Sequence, residues 1–372
     1  MTHPYKLLDE AEVFTPALVF FPAIIEKNIA EVVRMAGGPE RLRPHVKTHK
    51  CPEIVKLQLA AGVTKHKCAT IAEAEMLAMA GAPDVLIAYP LVGPNVRRFS
   101  ALIQKYPGTK FSAIVDHPAS VAALNEALTL AKQTAEVFAD VNVGQDRTGI
   151  SLAELPGLYS QIAKSPALRP GGFHVYDGHN SMESHDDREA AVRKQIQPVL
   201  EVRKQLERDG LTVPRMVCGG TPSFPIYSSF TDIPGLECSP GTFTLYDSGY
   251  GAKFADLRGL TPGAVLVTRV VSKPTANRIT LDLGTKAVAS DPPAGKRVTL
   301  LDFPSHTPVG HNEEHYIVET EFADRYQPGD VVYAIPSHIC PTVALHKEAL
   351  IAVDGRITGS WNIVARDRKL TI

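Results

Sequence analysis

The 372-residue chain carries 39 Lys and Arg against 40 Asp and Glu, a net charge of −1 with its histidines neutral. So balanced a charge offers no long-range field to nucleic acid or to an anionic membrane, and the expected partner is a small molecule. The length exceeds one ordinary small domain but suits a large barrel with an added module, and five widely spaced cysteines (51, 68, 218, 238, 340) read as free thiols rather than a disulfide framework.

The opening MTHPYKLLDEAEVF lacks an apolar core behind a basic start, and no run approaches the ~20 apolar residues that span a bilayer, so a cytoplasmic protein is expected. AIIEKNIAEVVRMAGG (23–38) has helical period and is followed by a short run, RPHVK (43). PEIVKLQLAAG, with Pro52 near its first turn and Gly62 at its end, predicts the next helix, and KHKCA (65) the next strand. TIAEAEMLAMAGA starts on Thr70 with Glu73 three residues on, a capping-box pattern. VLIAY (85), FSAIV (111), VFADV (137) and FHVYD (173) then alternate with helices over 95–106, 118–132, 151–164 and 185–209. Asp186 and Asp187 sit in the first turn of the last helix, at the positive end of its dipole. RMVCG (215) and LECSP (236) bring the short runs to eight.

Eight buried runs alternating with helices predict a (β/α)8 TIM-like barrel over 16–250, with a doubly wound open sheet as the alternative. Beyond residue 255 the texture changes. GAVLVTRVVSKP, NRITLDLG, RVTLLDF, HYIVETEF, DVVYAIPSH, EALIAVDGRI and WNIVARD are β-rich segments separated by Gly, Pro and Asp, with no amphipathic helix among them. They predict a separate all-β domain over 251–372, joined by 1–15.

RPHVKTHK (43–50) sets Arg43, His45, Lys47 and His49 at alternate positions. On a strand the first three share one face, and Lys47 lies near the carboxyl end, where such barrels place their active sites. Pro44 donates no ladder hydrogen bond, so this strand should be short or irregular. Cationic neighbours in a partly desolvated pocket disfavour a charged Lys47 and leave an amine able to attack a carbonyl; the alternative is a solvated basic loop. CGGTPSF follows the seventh run and SPGTFTLYD the eighth, so Gly220 with Thr221 and Gly241 with Thr242 stand where this fold often binds phosphate. In PSHIC, His338 and Cys340 are i, i+2. On an extended segment both could grip one metal ion and leave positions open to water and substrate, although a buried thiol beside a satisfied histidine is the alternative. HNEEH (311–315) does not fit a zinc-protease motif and reads as a loop or strand rim, from which His311 and Glu314 could shape a pocket.

TPALVF, RPHVKTHK, CATIAEAEML, VNVGQDRTGI, VYDGHN, CGGTPSF, SPGTFTLYD and PSHICPTVALH together resemble the fold-type III pyridoxal-phosphate enzymes of the D-threonine aldolase and D-serine dehydratase group, nearly end to end. The resemblance implies an alanine-racemase-like barrel, a C-terminal β domain, pyridoxal 5′-phosphate, an amino acid substrate and a homodimer. It matches Lys47 to the Schiff-base lysine and Arg147 and Tyr176 to residues lining the cofactor. Read alone, those two are an exposed turn residue and a core aromatic. The resemblance also puts a divalent cation at His338 and Cys340, where a thiolate favours zinc over manganese or magnesium. The expected reaction is cleavage of D-threonine and related D-β-hydroxy-α-amino acids, with His179, after the sixth strand, as candidate base. The rivals are a dehydratase for D-serine or D-threo-3-hydroxyaspartate, an amino acid racemase, and a non-catalytic pyridoxal-phosphate carrier.

Overall fold

The computed structural model describes residues 3–301 and 303–372; Asp302, within the predicted run RVTLLDF, and Met1 and Thr2, within the predicted 1–15 segment, lie outside the described residues. After β1 (Ala17–Phe20) come seven parallel strands: β2 (Lys65–Cys68), β3 (Asp84–Ile87), β4 (Lys110–Val115), β5 (Ala135–Asp140), β6 (Leu168–Val175), β7 (Met216–Cys218) and β8 (Leu236–Cys238). They pair in that order into one sheet. The helices between them start and stop where the sequence punctuates them, as at Pro52–Ala60, Pro94–Lys105, Pro118–Leu130 and His185–Arg208. The capping box at Thr70 is offset by one residue. Thr70 Oγ1 accepts from Glu73 N–H at 3.0 Å, but the Glu73 carboxylate accepts from Ala69 N–H, at 2.6 Å.

Residues 42–46 close the ring without forming a regular strand. Leu42 bridges Cys238 and His45 bridges Lys67. Arg43 N–H donates to the Cys238 carbonyl at 2.9 Å, and Lys67 N–H donates to the Pro44 carbonyl at 2.8 Å. Pro44 has no N–H to give, and the chain turns over 46–49 directly afterwards. Closure on both edges decides for the barrel over the open sheet.

The barrel interior is layered, because alternate residues of each strand face inward. At the amino ends Arg43 is wholly buried, 2.6 Å from Glu237 Oε2 and 2.7 Å from Asp84 Oδ1, and Lys65 reaches Glu237 Oε1 at 2.8 Å. Leu86, Ile114, Phe138 and Val217 form the apolar layer above this ionic floor. On β5 the series Glu136, Phe138, Asp140 passes from an ion pair with Arg215, through the apolar layer, to a histidine contact above it.

The second unit is a nine-stranded sheet of β1 with β9 (Ala264–Thr275), β10 (Arg278–Leu281), β11 (Val298–Leu301), β12 (Thr307–His311), β13 (Tyr316–Glu319), β14 (Val331–Pro336), β15 (Glu348–Val353) and β16 (Arg356–Asn362). β1 pairs antiparallel with β9 and parallel with β15, and its Ala17 and Val19 join Tyr5, Val265 and Val267 in the core. The contacts therefore divide the chain differently from a cut at 250. One unit takes the residues up to Glu31, Thr48–Ile54 and Thr242–Arg366, and the other Val32–Lys47, Val55–Gly241 and Asp367–Ile372. Between β14 and β15 of this unit lies a short α-helix, Ile339–Leu345, with Asp247 Oδ2 accepting from its first N–H at 3.1 Å. No helix of the described residues is long and apolar enough to cross a membrane.

Candidate active site

At the carboxyl ends of the barrel strands a cavity of about 580 Å³ is lined by His45, Lys47, Lys67, Arg147, His174 and Tyr176, among others. That volume lies within the ordinary range for small-molecule sites. Lys47 is half-buried in the turn after the irregular segment, its backbone N–H donating to His45 Nδ1 at 3.2 Å. The Tyr176 ring organises the site. Lys47 Nζ lies 5.7 Å, Lys67 Nζ 5.6 Å and the Arg147 guanidinium carbon 5.2 Å from its centroid. Three cation-forming groups around one ring in a part-enclosed cavity favour an aromatic ligand carrying negative charge.

Two glycines leave room for that ring. A Cβ at Gly178 would sit 2.5 Å from the Tyr176 hydroxyl oxygen, and one at Gly220 would sit 3.2 Å from its Cε2. Gly178→Ala should therefore displace the ring and weaken pyridoxal-phosphate binding about tenfold, ~1.4 kcal/mol, in an equilibrium titration of the cofactor-free protein. An unchanged dissociation constant would mean that the ring is not a binding surface.

The two predicted phosphate loops come together. Gly241 N–H donates to Thr221 Oγ1 at 3.0 Å, which ties the loop after β8 to the loop after β7. Gly220 N–H donates to Ser223 Oγ at 3.2 Å, and Ser223 Oγ donates to Asp177 Oδ1 at 2.7 Å. Asp177 is buried and also accepts from Gln195 Nε2 at 3.0 Å. Burial raises its pKa, and the hydrogen bonds from Ser223, Asn180 and Gln195 oppose that rise. A Cβ at Gly241 would lie 3.1 Å from both the Cβ and the carbonyl oxygen of His45, so both turns are kept free of side chains. Small residues, backbone N–H groups and hydroxyls at two tied loops are a donor set that fits a phosphate monoester.

Lys67, Asp140 and His174 escaped the sequence reading. His174 is two residues before Tyr176 and so shares its face, and KHKC repeats the alternating basic pattern of RPHVK. Lys67 is fully buried, with Nζ 3.3 Å from His174 Nε2, and His174 Nδ1 is 2.6 Å from Asp140 Oδ1. His179 is exposed and is not among the residues lining this cavity. It stands over the loop that carries Arg147, with Nε2 3.5 Å from where a Cβ at Gly144 would be.

In the β unit the metal motif is arranged differently from the extended pair expected. His338 is the N-cap of Ile339–Leu345 and Cys340 is the second residue of that helix, because Asp247 caps the first N–H and Pro341 needs none. The pair still converges. Hydrogen bonding to Cys340, ahead of the contrary effect of burial and with help from Asp291, pushes the His338 imidazole up to about 9. His338 Nδ1 is 2.5 Å from Asp291 Oδ2, a carboxylate contact of the kind that orients metal-binding histidines. Cys340 Sγ lies 3.1 Å from Thr48 Oγ1 and 3.8 Å from Thr242 Oγ1. Among the described residues no group of three or more His, Cys, Asp or Glu is placed to hold a metal ion. HNEEH lies at the rim of the hairpin between β12 and β13. His311 is spent on the Leu283 carbonyl at 3.1 Å and Arg297 at 3.0 Å, and Glu314 pairs with Lys286.

A model of the alanine racemase N-terminal domain matches residues 22–237, and one of a putative serine dehydratase domain matches residues 263–352. The D-threonine aldolase of Arthrobacter sp is 32% identical over 367 residues, 96% of this chain and 93% of that protein. The D-threo-3-hydroxyaspartate dehydratase of Delftia sp. (strain HT23) is 25% identical over 366 residues, 92% of this chain and 95% of that protein. Among solved structures, D-threonine aldolase from Filomicrobium marinum matches with a TM-score of 0.87 at 25% identity, covering 98% of this chain and 99% of that one.

Proposed function

This chain belongs to the fold-type III pyridoxal-phosphate enzymes of the D-threonine aldolase and D-serine dehydratase group, with an alanine racemase-like barrel, and on that premise we propose that it cleaves D-threonine and related D-β-hydroxy-α-amino acids to glycine and an aldehyde. The observation that carries the reading is the cavity in which Lys47 Nζ and the Arg147 guanidinium carbon lie 5.7 and 5.2 Å from the centroid of the Tyr176 ring, together with the tie between the loops that carry Thr221 and Gly241. Pyridoxal 5′-phosphate, when bound, supplies the electron sink for the pair left on Cα as the Cα–Cβ bond breaks.

Lys47 would hold the cofactor's aldehyde through its amine. Tyr176 and Arg147 would hold the ring in place, and Gly220, Thr221, Gly241 and Thr242 would hold the phosphate. His338 and Cys340 would hold the divalent cation, zinc by preference for the thiolate, whose chemistry is to polarise the β-hydroxyl. His174 is excluded as the base because both of its ring nitrogens are engaged inside the barrel. We therefore assign the hydroxyl proton to His179, which is exposed and free to meet a solvent-side substrate. The match of residues 263–352 to a putative serine dehydratase domain favours a second reading, loss of water and ammonia from D-serine or D-threo-3-hydroxyaspartate.

Incubation of the purified protein with D-threonine and with D-serine, with and without chelator, separates the two. Acetaldehyde with glycine is the expected outcome, and chelation should stop it. Keto acid with ammonia moves the assignment to the dehydratase, and turnover indifferent to chelator removes His338 and Cys340 from it.

A further inference from the structure

The cavity holds two amines where the proposed reaction uses one. Lys67, from β2, is 1% exposed, yet its Nζ is as close to the Tyr176 ring as that of Lys47. Its contacts fix a single pattern of protons. Asp140 accepts from His174 Nδ1–H, so the bare Nε2 of His174 must accept from Lys67. Burial first, and Lys67 second, lower the pKa of His174, which keeps the imidazole neutral. Burial disfavours the Asp140 carboxylate, but His174, Thr148 and Lys67 together still lower its pKa. Histidine and aspartate thus hold the Lys67 amine in place without neutralising it fully.

The carboxylates nearest Lys67 are taken up by other partners, Asp140 by His174 and Asp177 by Ser223. Burial, followed by the charge of Lys47, brings its pKa down to about 7, against the pull of Asp140, Cys218 and Asp177. From the other elements packed around it come His174, His45, Tyr176 and Arg147, none of them an anion at neutral pH, while the carboxylates of Asp140 and Asp177 are engaged by His174 and by Ser223 and Gln195. An empty cavity therefore leaves this amine largely uncharged in mildly alkaline solution. An oxyanion arriving over the ring adds the missing charge, and a proton moves from solvent onto the Nζ lone pair, with no other bond made or broken.

We propose that Lys67 is a second ligand-binding amine of this cavity, a cation switched on by an oxyanion bound over the Tyr176 ring, with His174 and Asp140 as its positioning residues. This rests on the reading that the cavity takes pyridoxal phosphate. The oxyanion is either the ring oxygen of that cofactor or the carboxylate of the amino acid, which share the chemistry Lys67 recognises.

Calorimetric titration of the cofactor-free full chain with pyridoxal 5′-phosphate near pH 8, in two buffers of different ionisation enthalpy, counts the protons taken up. The wild-type protein should take up roughly one proton more per site than Lys67→Met, and the excess should fade below about pH 7, where Lys67 is already charged. The fading is measurable on the wild-type protein alone, should the variant fold poorly. The same titration with 3-deoxypyridoxal phosphate, and of D-threonine into the loaded protein, separates the sources. Excess uptake lost with the deoxy analogue points to the ring oxygen, and excess uptake seen only on adding the amino acid points to the carboxylate. His174→Gln should lower the pH midpoint of the uptake without changing its size, and an unmoved midpoint removes His174 from the arrangement. Cofactor binding with equal proton counts in wild type and Lys67→Met in every arm overturns the inference alone. Failure of the wild-type protein to bind pyridoxal phosphate at all overturns the reading of the cavity, and this inference with it.

Discussion

Replacing Lys47 by alanine is expected to abolish the violet-edge absorbance that pyridoxal phosphate acquires on the wild-type protein and to lower turnover by at least about 10⁴-fold. Two amines line the cavity, so the prediction needs a reason for choosing between them. Lys47 is half-buried, sits in a turn and has its amine 5.7 Å from the ring centroid. Lys67 is fully buried on a strand and held by His174 at 3.3 Å, which makes its amine the more restrained of the two. An amine that must both form and release a bond to a carbonyl carbon needs mobility. Borohydride reduction of the loaded protein, followed by peptide mass analysis, should place the label on the peptide containing Lys47 and nowhere in the Lys47→Ala variant. A label on Lys67 would exchange the roles of the two lysines.

The parts of this molecule that were legible in the sequence are those governed by local periodicity. The helices from Pro52, Pro94 and Pro118 begin where a proline can enter a first turn, and seven barrel strands fall on the apolar runs. Even the irregularity at residues 42–46 was visible, since Pro44 withholds an N–H that a ladder needs. Partner choice was not visible. β1 is a four-residue apolar strand that reads the same whether it joins a barrel or, as it does, lies between β9 and β15. The relay of Lys67, His174 and Asp140 joins residues 107 and 34 positions apart, so no window on the chain contains it. His338 and Cys340 were proposed from their spacing and the family resemblance, on the assumption of an extended chain. A seven-residue helix shows too little period to announce itself, and the caps that start it come from Asp247, far upstream.

The second large effect is expected at the other end of the basic stripe. Arg43 and Lys47 lie four residues apart, yet Arg43 is buried in the ionic floor at the amino ends of the strands and Lys47 opens onto the cavity at the carboxyl ends. Arg43→Met leaves Glu237 with Lys65 alone and Asp84 with Arg215 at 3.5 Å, and it strips the most buried member from both pairs. Breaking a buried pair on one side costs about 3–5 kcal/mol, and the remaining partners place this loss near the lower figure, read from urea denaturation at neutral pH. The acid limb should move as well. Burial works against both carboxylates, but Arg43 and Lys65 hold Glu237 below the usual glutamate range, and Arg43 chiefly does the same for Asp84. A lowered carboxylate pKa adds stability above the unfolded value and loses it as pH falls through the folded one, so in wild type this contribution persists below the ordinary carboxylate range before it is lost. Without Arg43 both carboxylates take up protons at higher pH and unfolding begins earlier on acidification. Pyridoxal-phosphate absorbance per folded molecule should stay unchanged throughout. A variant that keeps its stability but loses that absorbance would tie Arg43 to the cavity rather than to the floor.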